Sequence, residues 1–158
     1  KLSSAFIEKA IYESCKIKKN VVEKDEKEKG LRKILNFGHT FAHAFEATLG
    51  YSNKLNHGEA VILGIKTALN FSLKNKIINK KEYNLIVNHI LKSHLPSDIN
   101  KIFEAKDLNK ILSFMLKDKK NNSDKISLVL LKKIGSPIIN REYNQKSLKK
   151  FLKSELTN

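Results

Sequence analysis

Residues 31–49 read LRKILNFGHTFAHAFEATL, and this stretch decides how the chain can fold. Four polar residues in it, Arg32, Asn36, His39 and His43, follow one another at steps of four, three and four. At about 100° per residue, those steps place the four side chains within roughly 40° of one another on a continuous α-helix. The remaining positions are mostly apolar, so we predict a largely buried helix over Leu31–Leu49. Its polar stripe then needs a metal, ligand or partner group to offset the cost of desolvation.

Helical periodicity extends over most of the chain. Apolar residues at helical spacing predict further helices over Ala5–Val22, His57–Lys76, Lys80–Leu95, Asp107–Leu116 and Gln145–Leu156. The β-rich stretch Lys125–Lys133 is followed by a Gly-Ser-Pro turn and Ile138–Arg141, which is the pattern of a hairpin. We therefore expect one domain over residues 1–158. It should be mainly α, with about seven helices and a small two-stranded β-hairpin near the C-terminus.

Composition narrows the class of protein. The chain has 158 residues and a net charge of +15, but Arg occurs only at Arg32 and Arg141, and Lys is scattered through every segment. Specific nucleic-acid recognition relies on the bidentate guanidinium, so we expect a solvated Lys-rich surface and no nucleic-acid partner. No apolar run is long enough to span a bilayer, and the first residues lack a signal-peptide core, so we expect no membrane association.

Two smaller observations concern the cysteine and the start of the chain. The single Cys15 excludes an intrachain disulfide and fits a reducing compartment. It falls within a helical run, which favours a buried, inert thiol. The chain opens without Met and directly in a helical pattern, so we expect a fragment of a longer protein.

The strongest candidate for chemistry is a set of three histidines. His39 and His43 lie one helical turn apart, and His57 begins the next helix after a short loop, a spacing that suits a metal ion. The alternative is a pair of histidines satisfied by hydrogen bonds in the core. The glycines beside two of the imidazoles, Gly38 and Gly58, favour a site because they allow backbone or substrate to come close. A carboxylate or water must complete the metal shell, and Glu59 is not obviously placed to do so.

A second candidate precedes the stripe. If the loop folds back, Lys18 and Arg32 form a cationic clamp for a carboxylate, and Glu28 can orient one of them or a hydroxyl. The alternative is an ordinary Lys/Glu-rich surface loop. A third segment, Asp118-Lys119-Lys120, carries no spacing signal and reads as a solvated turn.

These residues resemble one family closely. The pattern KxxVVxxDExExGLRxxLNxGHTFxHAxE over Lys18–Glu46, followed by NHGEAV from Asn56, is similar to the C-terminal half of 3-dehydroquinate synthases. The resemblance continues through Met115-x-x-Asp118-Lys119-Lys120 into the KISLVLLKKIG hairpin, so it covers most of the chain.

The resemblance implies a cytoplasmic enzyme of the shikimate pathway. Family members are carbon–oxygen lyases that convert 3-deoxy-D-arabino-heptulosonate 7-phosphate, a phosphorylated sugar acid, to 3-dehydroquinate and phosphate. They use Zn²⁺ or Co²⁺ and a catalytic NAD that is reduced and reoxidised in each turnover. A homodimer is implied for the full-length protein.

The resemblance also implies a role for each candidate residue. His39 and His57 match the metal ligands, and His43 matches a phosphate-side, proton-transferring residue. Asn36 and Glu28 match polar contacts to the substrate. The substrate-binding cations are matched by Lys18, Arg32 and one of Lys119 and Lys120, of which we favour Lys120.

The chain departs from the family pattern in three respects. Ala42 stands where Gly is common, which should tighten the site rather than abolish it. The third metal ligand of the family is a Glu in an E-x-x-K-x-G context, and that context does not occur here. The N-terminal NAD-binding domain is also absent from this sequence, so we expect the fragment alone to be inactive.

Two other functions stay open. Cyclases that make deoxy-inosose or valiolone skeletons share the metal and NAD chemistry but differ at the substrate end of the site. A Lys-rich helical module that binds nucleic acid or a protein is the alternative from another class, and it leaves the polar stripe without a purpose.

Overall fold

The computed structural model describes residues 3–117 and 125–157. The chain divides into two compact units, Lys1–Asn36 and Phe37–Asn158. The mainly α class with one two-stranded hairpin near the C-terminus, predicted from periodicity, is confirmed.

The first unit contains one long helix. Helix α1, Ser4–Lys24, begins where the Ser3 hydroxyl accepts a hydrogen bond from the Phe6 amide at 3.3 Å. No residue of α1 is buried. Cys15 is therefore exposed, and the prediction of a buried thiol is wrong because the apolar positions of this helix are themselves exposed. After a loop, the unit ends in a 3₁₀ helix, Leu31–Asn36.

The second unit holds the remaining elements. They are α2 (His39–Thr48), α3 (His57–Lys74), α4 (Lys80–Lys92), two short 3₁₀ turns, α5 (Leu108–Lys117), β1 (Lys125–Lys133), β2 (Ser136–Asn144) and α6 (Gln145–Leu156). Helix α3 buries residues on most sides, as its nearly all-round apolar pattern predicts, and it is packed against α2, α4 and β1.

Aromatic rings join helices α2, α3 and α6 in the main hydrophobic core. Phe71 of α3 stacks edge-on against Phe151 of α6, with ring centroids 5.0 Å apart, and Phe45 of α2 lies 5.1 Å from Phe103. All four side chains are at most 2% exposed. Burying a side chain of this size stabilises the fold by about 1.5–3 kcal/mol, so the core fixes α2 and α3 firmly.

The hairpin closes one side of that core. Strands β1 and β2 pair antiparallel, with Ile126 opposite Tyr143, and a two-residue turn contains Gly135 at φ 78°. Alternate residues of β1 (Ile126, Leu128, Leu130) are buried, as the period of a strand requires. The β-rich stretch therefore forms the strand that its sequence predicts.

Helices α2 and α3 approach each other most closely at two glycines. A Cβ on Gly64 would lie 2.3 Å from the carbonyl oxygen of Gly38 and 2.9 Å from the amide nitrogen of Ala42. Gly38 also has φ 83°, a conformation that other residues rarely adopt. The start of α2 is thus fixed against the third turn of α3 by backbone contact.

The single helix predicted over Leu31–Leu49 is wrong. A 3₁₀ helix ends at Asn36, and α2 begins anew at His39 after Gly38 in the left-handed region. The angular argument for one polar stripe assumed uninterrupted α-helical geometry, so it does not apply across this break.

None of the helices in the described part of the chain is both long enough and apolar enough to cross a membrane.

Candidate functional site

Three imidazoles come together in the second unit. The His39 ring centroid lies 5.5 Å from that of His43 and 6.0 Å from that of His57, and His43 and His57 are 6.3 Å apart. Two of them come from one face of α2 and the third is the first residue of α3. The spacing of the three histidines in the sequence therefore correctly indicated their proximity.

The position of His57 depends on how α3 begins. Asn56 has the extended backbone of an N-cap, and its backbone N–H donates a hydrogen bond to the Glu59 carboxylate at 2.8 Å. Glu59 thus stabilises the start of the helix.

Glu46 is a member of this cluster that the sequence reasoning missed. Its carboxylate oxygens lie 3.1 and 3.2 Å from Nδ1 of His57. The available signal was helical spacing, since His39, His43 and Glu46 stand at i, i+4 and i+7 of α2 and share one face. We name His39, His43, Glu46 and His57 together the imidazole cluster.

The three rings differ in exposure. His39 is half-buried, whereas His43 and His57 are exposed. Burial lowers the pKa of His39 below its ordinary value, because the charged imidazolium loses hydration, and the nearby Phe37 carbonyl opposes this only in part. The neutral imidazole that results is the form that binds metal ions.

The imidazole nitrogens of the cluster are suitable ligands for a metal ion, but they do not make up a complete coordination shell. Two imidazoles on one tetrahedral zinc, with Zn–N bonds of about 2.0–2.1 Å, have ring centroids roughly 5 Å apart, which is near the 5.5 Å between His39 and His43 and the 6.0 Å between His39 and His57. Among the described residues, no group of three His, Cys, Asp or Glu side chains is arranged to hold a metal ion.

In the first unit, one carboxylate organises the loop before the 3₁₀ helix. Asp25 Oδ1 accepts from the Lys29 amide at 2.9 Å, and Oδ2 accepts from the amides of Gly30 and Arg32 at 2.8 and 2.9 Å. These hydrogen bonds, the one from Arg32 foremost, lower the pKa of Asp25 below its ordinary value. The sequence reasoning did not assign this role to Asp25.

The other candidate residues of the first unit lie around that loop. Glu28, at φ 52°, accepts a 2.7 Å hydrogen bond from the Asn36 amide group, and the Arg32 guanidinium donates to the Glu26 carbonyl at 2.8 Å. Lys18 is exposed on α1. Glu28 and Asn36 are therefore direct partners, a pairing that the sequence did not predict.

The residues of the polar stripe are only partly buried. Asn36 and His43 are exposed, and Arg32 and His39 are half-buried. Lys119 and Lys120 fall outside the described residues.

Comparison with known proteins gives a consistent set of relatives. The family model described as 3-dehydroquinate synthase C-terminal matches residues 1–121. A 3-dehydroquinate synthase from Pelagibacter ubique is 68% identical over 156 residues, covering 99% of this chain and 42% of the relative. One from Bradyrhizobium diazoefficiens is 35% identical over 154 residues, covering 94% of this chain and 40% of the relative. The chain thus spans about two fifths of the length of these curated relatives.

Solved structures match the fold. A 2-epi-5-epi-valiolone synthase from Streptomyces hygroscopicus subsp. jinggangensis, with NAD⁺ and Zn²⁺ bound, superposes with a TM-score of 0.69 at 17% identity, covering 87% of this chain and 37% of that one. A 2-deoxy-scyllo-inosose synthase complexed with carbaglucose-6-phosphate, NAD⁺ and Co²⁺ gives 0.61 at 20% identity, covering 80% and 35%.

Proposed function

Because the chain belongs to the family of 3-dehydroquinate synthase C-terminal domains, we propose that it supplies the metal- and substrate-binding domain of a 3-dehydroquinate synthase. The proposed reaction converts 3-deoxy-D-arabino-heptulosonate 7-phosphate to 3-dehydroquinate and phosphate. The observation that carries the proposal is the imidazole cluster, in which three histidine rings lie within 6.3 Å of one another. Residues 1–158 act as one functional domain in this proposal.

In the proposed site, His39 and His57 hold Zn²⁺ or Co²⁺. Support comes from the neutral form of His39, which burial favours, and from the hydrogen bond that Nδ1–H of His57 donates to Glu46, which leaves Nε2 of that ring for a metal ion. The E-x-x-K-x-G context of the family's third protein ligand does not occur in residues 1–158. A bound metal ion supplies Lewis acidity at the alcohol to be oxidised, and bound NAD supplies hydride exchange.

His43 has a different role in the proposal. It lies on the face of α2 next to His39, but it is exposed, so its ring can take a proton from substrate and pass it to solvent. We assign it the phosphate-side proton transfer rather than a place in the metal shell.

In the proposal, residues of the first unit together with Lys120 supply the contacts that hold the substrate. Lys18 and Arg32 bind its carboxylate, Lys120 binds its phosphate, and cations suit both groups because their hydrogen bonds to anions are charge-assisted. Glu28 and Asn36 act as a pair, since the 2.7 Å hydrogen bond between them fixes which amide atom Asn36 presents to a substrate hydroxyl.

In this proposal, a further domain binds NAD. The full-length protein is a homodimer in the cytoplasm and acts on a small phosphorylated sugar acid. Nucleic acid and membrane have no part in it. We expect residues 1–158 alone to show no turnover. Phosphate release by the purified chain in the presence of NAD and Zn²⁺ would contradict this.

The metal assignment is tested by zinc titration of single variants. His39→Ala and His57→Ala should each abolish zinc binding, whereas His43→Ala should largely spare it, because only the first two rings are ligands in the proposal. Equal damage from His43→Ala and His39→Ala would overturn the division of roles. The isolated chain should bind zinc weakly, since two imidazoles leave the shell open.

A second candidate is one of the sugar-phosphate cyclases that the structural neighbours represent. Phosphate release by the full-length protein separates the candidates when the heptulosonate phosphate is compared with glucose 6-phosphate and sedoheptulose 7-phosphate. We expect turnover with the heptulosonate alone. Release from one of the other two sugars, and none from the heptulosonate, would favour the cyclases.

A further inference from the structure

The Glu46 carboxylate is unusually shielded for an acidic side chain. It stands two turns after His39 on α2, and only 12% of its side chain is exposed. A carboxylate removed from water needs a donor or a positive charge close by. The structure provides His57 Nδ1, which lies within 3.2 Å of both carboxylate oxygens.

The orientation of the His57 ring also depends on this contact. Its side chain is 62% exposed, so packing does little to fix its orientation. When Nδ1–H donates to the Glu46 carboxylate, the proton stays on Nδ1 and the lone pair of Nε2 is directed away from Glu46. The contact thereby restricts an exposed imidazole to one tautomer and one orientation.

His39 is held by different means. Its ring is half-buried, and its Nδ1 lies 3.4 Å from the carbonyl oxygen of Phe37. Burial and the adjacent backbone therefore restrain His39, whereas His57 depends on a side chain that reaches it from the neighbouring helix.

We propose that Glu46 is a positioning residue that orients His57 and fixes its Nδ1–H tautomer for metal binding. This inference rests on the proposed function, in which His57 is a metal ligand. A carboxylate behind a ligating imidazole fixes the orientation of the ring and reduces the entropy that the ring loses when it binds.

Cobalt affinity of the intact protein, measured by competition with a chromophoric chelator, tests the proposal. We expect Glu46→Ala to weaken Co²⁺ binding by about 10–100-fold. Glu46→Gln should fall between Glu46→Ala and the wild type, because its amide oxygen still accepts from Nδ1–H but carries no charge. Glu142→Gln is the matched control, since it removes the same charge from an exposed position on β2 and should leave the affinity unchanged.

A second readout separates positioning from folding. In the metal-free protein, imidazole ¹⁵N–¹H correlation spectra should show His57 protonated at Nδ1 in the wild type and as a mixture of tautomers in Glu46→Ala. The thermal midpoint with chelator present reports folding; should Glu46→Ala fail to fold, the partial loss of affinity and the retained tautomer in Glu46→Gln carry the test.

The outcomes distinguish this inference from the function on which it rests. Wild-type cobalt affinity and an unchanged His57 tautomer in Glu46→Ala would overturn the role of Glu46 and leave the metal site standing. Cobalt binding that survives His57→Ala unchanged would overturn the proposed metal site, and the inference with it.

Discussion

The two regions that carry the candidate residues are held in place by different physical means. In the second unit, the imidazoles project from helices whose backbones meet at Gly38 and Gly64, so their positions depend on packing. In the first unit, the loop before the 3₁₀ helix is organised by three backbone hydrogen bonds to one carboxylate, Asp25. A packed contact between helices is insensitive to pH but is disrupted by added atoms. A loop held by a carboxylate can accommodate added atoms but loses its hydrogen bonds when the carboxylate is protonated.

The largest effect should follow from adding one methyl group where the helices meet. Gly64→Ala places a Cβ 2.3 Å from the Gly38 carbonyl oxygen, so α2 and α3 must separate. We expect a loss of about 3 kcal/mol in the free energy of unfolding, the upper part of the usual range for overpacking. Denaturant unfolding measures it, and zinc affinity should fall as the imidazoles move apart.

Gly58→Ala is the matched control for that variant. Gly58 is also in α3, but a Cβ there meets no atom within 4 Å. The change should alter the free energy of unfolding by no more than about 1 kcal/mol, since Ala is the better helix former. Equal losses from Gly58→Ala and Gly64→Ala would show that the glycine contact does not hold the helices.

The next effect concerns the charged residues of the first unit. If Lys18 and Arg32 bind the substrate carboxylate as proposed, Arg32→Ala and Lys18→Ala in the intact protein should each weaken substrate binding by about 2 kcal/mol, because each would remove a charged hydrogen bond. The dissociation constant of the heptulosonate phosphate, measured by calorimetry, should rise roughly 30-fold.

The control for these two variants is Lys19→Ala. Lys19 lies beside Lys18 on α1 and pairs with Glu23 at an exposed position. The Lys19→Ala substitution removes the same charge as Lys18→Ala, and it should leave the substrate affinity and the thermal midpoint of unfolding unchanged. A weakening as large as that of Lys18→Ala would mean that overall charge, rather than a specific contact, attracts the substrate.

A smaller effect would show that the packed unit also has a charge-dependent contact. Lys66 of α3 is only 8% exposed and donates a hydrogen bond to Asp98, which lowers the pKa of that carboxyl below its ordinary value. The carboxylate therefore stabilises the fold fully above about pH 4, the ordinary pKa of Asp, and this stability is lost as pH falls through the lower folded pKa.

Asp98→Asn should remove that acid sensitivity. It leaves the Lys66 ammonium buried without its partner, so we expect a loss of about 1–2 kcal/mol at neutral pH. Unfolding curves measured over a pH series report both effects. Lys101→Ala, which removes the exposed partner of Asp98 at 3.1 Å, should cost well under 1 kcal/mol. If the free energy of unfolding of Asp98→Asn still fell at low pH as in the wild type, another group would be responsible for the acid sensitivity.

The sequence predicted most of the fold because periodicity reports burial. Helix α3 is apolar nearly all round and is central, and β1 alternates and lies on the core. The helix break between Asn36 and His39 was missed because apolar spacing continues across it. Gly38 was interpreted as room for a ligand, whereas its main constraint is the backbone of α3.

The candidate site was predictable where residues share one helix face and unpredictable where contacts join different elements. His39 and His43 follow from spacing, but the contact between Glu46 and His57 depends on how α2 packs against α3. The pairing of Glu28 with Asn36 likewise needs a loop that Asp25 folds, and residues with φ above zero, such as Glu28, leave no periodic signal.

The smallest expected effect is local and concerns the anchor of the first unit. In Asp25→Asn, one of the two acceptor atoms becomes an NH₂ group, so the three amides of Lys29, Gly30 and Arg32 cannot all keep their hydrogen bonds. We expect faster hydrogen exchange at these amides and no change in the unfolding of residues 37–158. The wild type should lose the same protection as pH falls through the lowered pKa of Asp25, and the variant should lack that transition. Glu26→Gln, which keeps the backbone carbonyl that Arg32 uses, should exchange like the wild type. Undiminished protection in Asp25→Asn would mean that packing holds this loop as well, and the contrast between the two units would disappear.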